Sequence, residues 1–520
     1  SLVNLGRHED AVKSYANVLG SSPKDEKALL GRGAALMWLQ RYEEAITSYT
    51  DALSLNLSDN GNAWYQKGLA YTNLKRYNDA IACYNQAVAV NPLLVDAWYQ
   101  NGDALYSLER FEQSLPCFDM VIKLNPSHAK AWHKKGAVLY EFGKIKEAAN
   151  CFDEATKNDP TYAQSWYNKG MAMEKLGELK NAISNYEKAI ELKLENIEVW
   201  YNKGKSLEKL GKMDEAIVCY DKVTTIKPGH LNAWYRKAML LMKADKFNGA
   251  LLSIEEALKI SPMYDDALYC KGNILYRLGR YDDALICYES ILSRNPQHVN
   301  ALYGRGVNLG KLGRVADAGT CYEQVTKLNP EYTDAWYNWG NLLYKAGRYD
   351  QANTCFDEVI KLDKNYAEAW YNKGNILYQL GRPQEALTYY DEAINLNTND
   401  ANAWYNKGNI LYQLERYQEA MNCFDSTIKI NPMDAKAWYN KGMIFTRLER
   451  YQEAIPCFDV SLKIDPTDAN AWYNKGITLG NIEGRIDEAI SCLEKAINIY
   501  PEFAPAWRAK GTYLLASGKE

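Results

Sequence analysis

The sequence has no excess of positive charge: 61 lysines and arginines stand against 65 aspartates and glutamates, a net charge of −4, with no block of like charge. A general nucleic-acid binder needs a basic excess, so that class fits poorly. No apolar run approaches the roughly 18 residues that span a bilayer, and no charged-then-apolar leader stands at the N-terminus. Membrane attachment is not expected. The cysteines and the five histidines form no CxxC or HxxxH cluster, so no zinc site of ordinary spacing is present. A glycine-rich phosphate loop, HExxH and GxSxG are also missing, and with them the usual marks of nucleotide, metalloprotease and serine-hydrolase chemistry. We therefore expect no catalytic residue, cofactor or metal, and a chain that binds a macromolecule instead of transforming a small one. It opens at Ser1 without an initiator methionine, inside what reads as a repeat, as expected of a fragment of a longer protein.

What the sequence does have is period. Trp64, Trp98, Trp132, Trp166, Trp200 and Trp234 lie 34 residues apart, and Trp336, Trp370, Trp404, Trp438 and Trp472 resume the same register. Leu268 and Leu302 fill the gap between the two runs. Cysteine follows the same beat: Cys83, Cys117, Cys151, Cys219, Cys287, Cys321, Cys355, Cys423, Cys457 and Cys492 share one position, and Cys270 alone departs from it. Equivalent positions in successive units lie too far apart for the Cα separation of about 4.4 to 6.8 Å that a disulfide needs. They read as free, half-buried thiols, which favours a reducing compartment and a cytoplasmic protein.

Numbering Ala367 to Asp400 as positions 1 to 34, the recurring residues are Trp370 (4), Gly374 (8), Ala386 (20), Tyr390 (24) and Ala393 (27), with a proline at 32 in sister units such as Pro432 and Pro466. This pattern resembles the tetratricopeptide repeat, a helical hairpin. The resemblance implies an all-α solenoid, an α-α superhelix of tandem hairpins with first helices (A) along a concave groove and second helices (B) behind. Fourteen full hairpins are expected from Glu26 to Phe503. The expected organisation is a truncated half-repeat at 1–25, six repeats at 26–230, three irregular repeats forming a joint at 231–332, five repeats at 333–503, and an orphan first helix at 504–520.

At 100° per residue, positions 4, 8, 11 and 14 fall on one side of helix A, while 2, 6, 9 and 13 fall opposite. Helix B gathers 17, 20, 24, 27 and 28. Gly-Arg or Glu-Arg near 15 and 16 marks the turn inside a hairpin, and Asn-Pro near 31 and 32 marks its end. With position 4 in the core, Trp404→Ala is expected to destabilise by about 3 to 5 kcal/mol.

The side chains turned away from this core include a row of amides. Position 6 holds Asn168, Asn202, Asn338, Asn372, Asn406, Asn440 and Asn474, and position 9 holds Asn273, Asn341, Asn375 and Asn409. An amide both donates and accepts, so a ladder of them matches the N–H and C=O groups of an extended peptide whatever its side chains. It resembles the asparagine ladder of O-linked N-acetylglucosamine transferase superhelices, which implies a peptide held in the groove. The rival reading is a polar filler copied by duplication. Tyr344, Tyr378 and Tyr412 at position 12 join the candidate peptide-binding set, and the tyrosines of position 5 are assigned to packing between repeats. Lysine at position 7 is expected to bury its stem and send its ammonium to solvent or a carboxylate. Position 13 places Lys175, Lys209, Lys243, Arg277, Lys311 and Lys345 in the groove, where cations meet acidic peptide. A co-chaperone type of carboxylate clamp is incomplete: Asn409 and Asn440 suit its amide roles, but Tyr405 and Asn474 stand where basic residues belong. The expected function is a scaffold binding an extended protein or peptide partner, most strongly between Asn338 and Asn474. The alternatives are the targeting region of a larger enzyme such as a glycosyltransferase, and a homo-oligomer built through uncapped ends.

Overall fold

The computed structural model describes residues 7–55 and 60–518. The expected half-repeat therefore begins, and the orphan helix ends, outside the described residues. Thirty helices follow one another, with no strand among the described residues. The first, α1 (His8–Ser21), and the last, α30 (Ala504–Ala516), flank fourteen A/B pairs, running from α2 (Glu26–Trp38) with α3 (Tyr42–Leu53) to α28 (Ala469–Gly480) with α29 (Ile486–Ile499). The chain divides into two compact units, Ser1–Ala267 and Leu268–Glu520. Within each unit every hairpin packs on the next, and successive A helices approach one another. Examples are α10 (Ala163–Lys175) with α12 (Ile197–Lys209) in the first unit, and α24 (Ala401–Gln413) with α26 (Ala435–Arg447) in the second. The A helices thus line the inner side of each row.

One hairpin shows how the sequence builds the unit. Asp400 sits before α24 in extended backbone, and its carboxylate accepts from the N–H groups of Asn402 and Ala403, satisfying donors that a helix start leaves open. Helix α24 ends at Gln413 with Leu414 as its C-cap, and Glu415 then takes φ 58°, which reverses the chain into α25 (Tyr417–Ile430). The same left-handed position is glycine in other hairpins, for instance Gly381 at φ 72°. At the far end the Asn431 N–H closes α25 on the Thr427 carbonyl.

The core centres on the ring at position 24. Tyr84, Phe118, Phe152, Tyr186, Phe356, Tyr390, Phe424 and Phe458 are all fully buried. Each meets the glycine of position 8 on its own A helix: a Cβ on Gly408 would lie 2.9 Å from Phe424 Cε1, and one on Gly68 would lie 2.5 Å from Tyr84 Cε1. Glycine is there because two helices must close over a flat ring, and a methyl group does not fit.

Three expectations change. The A-helix core consists of positions 3, 8, 10 and 11, as in Ala403, Gly408, Ile410 and Leu411, while the leucine of position 14 is partly or largely exposed, as at Leu414 and Leu380. The tryptophans of position 4 are not central: Trp404 is half-buried, and its Nε1 donates to the Thr398 carbonyl at 3.1 Å. Trp98, Trp132, Trp166, Trp336 and Trp438 repeat this bond six residues back, so the indole latches a hairpin onto the turn before it. The eleven cysteines form no disulfide, as expected, but are buried instead of half-buried, and burial raises the thiols of Cys117 and Cys457 to about 11.

Candidate functional site

The amide row of the second unit is a bonded lattice. Asn406 Nδ2 donates to the Tyr371 hydroxyl at 3.1 Å and to Asn375 Oδ1 at 3.0 Å, both on the preceding A helix. Asn440 does the same with Tyr405 (3.3 Å) and Asn409 (2.8 Å), and Asn372 with Tyr337 (3.5 Å) and Asn341 (2.9 Å). The buried Tyr390 hydroxyl adds a donation to Asn375 Oδ1 at 2.6 Å, and Tyr288 donates to Asn273 at 2.8 Å. Asn338 and Asn474 donate to Tyr303 and Tyr439, each at 2.7 Å.

These bonds decide which atoms remain for a ligand. A carboxamide has two N–H donors, and Asn372, Asn406 and Asn440 spend both inside the protein. Their Oδ1 atoms, and the Nδ2 groups of Asn341, Asn375 and Asn409, have no protein partner among the described residues. The face thus offers acceptors from position 6 and donors from position 9, alternating along four successive A helices. It is half-buried, not the open stripe that the wheel draws.

In the first unit the row is sparser. Asn202 Nδ2 reaches Tyr167 at 3.0 Å, but Asn168 accepts from Gln164 at 3.1 Å and stands apart from the ladder. Charge takes over there. Glu174 receives Tyr186 at 3.2 Å and Lys209 at 2.9 Å, with Lys205 at 3.5 Å, while Glu208 receives Tyr220 at 2.9 Å and Arg236 at 3.1 Å. The neighbouring cations hold the Glu174 carboxyl low against the desolvation that opposes them.

The tyrosines behave in two ways. Position 5 packs, as in Tyr405 on Phe424 with ring centres 5.9 Å apart, while its hydroxyl accepts from the ladder. Position 12 frames the opening: Tyr344, Tyr378 and Tyr412 line a cavity of about 610 Å³ with Asn375, Asn406 and Asn409. The Tyr378 hydroxyl also accepts from Gln413 at 2.7 Å. Burial pushes the Tyr439 phenol to about 12 and raises Tyr390 further, so both hydroxyls stay protonated.

The lysines of position 7 leave no basic stripe. Lys135, Lys169 and Lys237 pair with Asp119, Asp153 and Asp221 of the preceding hairpin at 2.6 to 2.7 Å, and Lys373 and Lys407 pair likewise with Asp357 and Asp391. Each ammonium also lies near an aromatic face, as Lys407 does 5.6 Å from Trp404. Sequence reasoning missed the inward reach of the position-24 hydroxyls. The Asp or Glu spaced 16 residues before each such lysine was a signal for the ion pairs.

Among the described residues no helix is long and apolar enough to cross a membrane, and no cluster of His, Cys, Asp or Glu is arranged to hold a metal ion. A search of curated proteins found no match. Among solved structures, the chain is similar to YrrB, described as a tetratricopeptide repeat protein with an unusual peptide-binding site, at 27% identity over 36% of this chain and 97% of that one, with a TM-score of 0.34. MamA is 24% identical over 34% and 95%, with a TM-score of 0.32. A tetratricopeptide repeat protein from Parabacteroides merdae is 18% identical over 48% and 98%, with a TM-score of 0.39. One family profile, described as tetratricopeptide repeat, matches residues 1–56, 99–163, 303–345, 337–404 and 405–469, and related repeat profiles match 61–92, 151–184, 175–211, 197–230, 231–263, 265–298 and 457–491. More than half the chain is covered by the first profile alone, and the chain belongs to the tetratricopeptide repeat family.

Proposed function

We propose that this protein is an interaction scaffold that holds an extended polypeptide segment along the A helices of its second unit, between Asn338 and Asn474. The observation that supports this reading is the orientation of the ladder. Bonds to Tyr337, Tyr371 and Tyr405 and to the next amide fix each carboxamide in one sense. The unspent Oδ1 of Asn372, Asn406 and Asn440 then accept peptide N–H groups, and the unspent Nδ2 of Asn341, Asn375 and Asn409 donate to peptide carbonyls. Because the ladder is already ordered in the free protein, binding spends little side-chain entropy on it.

Alanine at these positions would remove internal bonds as well as ligand bonds. A cleaner variant is Asn341→Asp with Asn375→Asp and Asn409→Asp, which keeps the acceptor oxygen for the lattice and removes the outward donor. A displayed library of unstructured dodecapeptides selected on the wild-type protein is expected to yield enriched sequences that the triple variant fails to bind, with the far-ultraviolet circular dichroism spectrum retained. Equal enrichment on both proteins would overturn the role of the ladder.

A further inference from the structure

The ladder is interrupted at the hairpin of α18 (Val299–Lys311) and α19 (Val315–Leu328), where position 6 is Gly304 and position 12 is Gly310. Tyrosine stands at position 12 in the hairpins on either side, as Tyr276 and Tyr344. A Cβ on Gly310 would meet nothing within 4 Å, so the missing ring leaves open space. The result is a cavity of about 850 Å³ within the second unit, against about 610 Å³ farther along the ladder. Its floor is tyrosine and asparagine, and its charged wall is Lys311 and Lys345, both at position 13.

These two lysines differ from Lys209, which holds the same position in the first unit and is neutralised by the carboxylate of Glu174. Lys311 and Lys345 make no ion pair among the described residues, and no acidic residue lines the cavity. The neighbouring phenols Tyr288, Tyr303 and Tyr322 are raised by burial and stay neutral. The cavity thus presents two unpaired cations and neutral hydrogen-bonding groups with no opposing anion.

We propose that the cavity at Gly304 and Gly310 is a specificity pocket, in which Lys311 and Lys345 take an anionic side chain of the bound segment and so set its register on the ladder. This rests on the peptide-binding reading above. The ladder reads backbone and is indifferent to sequence, whereas this pocket supplies the preference that backbone pairing lacks. Carboxylate and phosphate share the required chemistry.

The experiment uses the full chain and the same displayed dodecapeptides, selected on wild type, on Lys311→Gln/Lys345→Gln and on Gly310→Tyr. The last restores the residue that neighbouring hairpins carry, so its helix has a precedent in this chain. Wild type is expected to enrich an acidic residue at a fixed place, and both variants to keep enriching peptides while losing that preference. Enriched peptides resynthesised with glutamate, glutamine or phosphoserine at that place, with amidated ends, then separate the sources by fluorescence anisotropy. Glutamate should exceed glutamine by about fivefold, the scale of a partly exposed ion pair. Tighter phosphoserine binding would support the proposal with a phosphorylated segment as the source, and tighter glutamate binding would support it with an acidic one. Enrichment without acidic bias, or bias that survives in the lysine variant, or dependence on a free C-terminal carboxylate, would overturn the pocket alone. No enrichment on wild type would overturn the ladder and the pocket together.

Discussion

At the scale of single residues, the decisive contacts are between a small side chain and a ring. Gly408 lies inside α24, where alanine would ordinarily add up to about 1 kcal/mol of helix stability. Here the added methyl would lie 2.9 Å from Phe424, a ring with no exposure and so no room to retreat. Overpacking of this kind costs about 1 to 3 kcal/mol and outweighs the propensity gain. Gly408→Ala is therefore expected to lower the urea midpoint, and a raised midpoint would show that the ring can shift. His133 makes a second case. It is buried between Phe152 and Tyr162 and lies 2.9 Å from the Ser165 hydroxyl, and burial, helped by Lys134, lowers its pKa from 6.5 to about 4. Above pH 6.5 both folded and unfolded forms are neutral and no stability is lost. As pH falls toward 4, only the unfolded form takes up the proton, which removes about 3 kcal/mol. The melting temperature of the wild type is expected to fall more steeply from pH 7 to 4 than that of His133→Gln, and parallel curves would count against this account.

At the scale of the hairpin, the turn between helices decides how much strain each repeat carries. Gly381 and Gly347 take the left-handed turn freely, at φ 72° each, whereas Glu109, Glu415 and Glu449 hold it at φ 57° to 58° with a Cβ in place. Replacing Glu415 by glycine is expected to stabilise its hairpin by about 1 kcal/mol, read as a higher melting temperature. A fall would mean that chain entropy gained on unfolding dominates. These turns and the 34-residue beat were legible in the sequence because the residues that mark them recur in one register and each turn is set by residues within a few positions of one another. The wheel also placed the amides of Asn406 and Asn440 away from the core. What it could not show is that Asn406 spends its donors on Tyr371 and Asn375, or that Trp404 is a half-buried latch. Those partners belong to the preceding hairpin, and a single-helix projection contains no neighbour.

At the scale of the whole molecule, stability comes from interfaces between adjacent hairpins, so damage stays near its origin. Trp404→Ala removes a half-buried ring and one hydrogen bond, and about 2 to 3 kcal/mol is a better figure than the core value. The column of buried cysteines makes the extent of that damage measurable. Cys83, Cys117, Cys151, Cys423 and Cys457 each sit in a different hairpin, fully buried, and their raised thiols react only when the surrounding helices part. The protein thus carries its own distributed set of opening reporters, one clock for each of many hairpins. Pulsed alkylation read by mass spectrometry is expected to quicken at Cys423 and Cys457 in Trp404→Ala and to stay unchanged at Cys83, Cys117 and Cys151. Uniform quickening would show that the array opens as one cooperative body, whereas a local response would make each thiol a register of how far a disturbance travels.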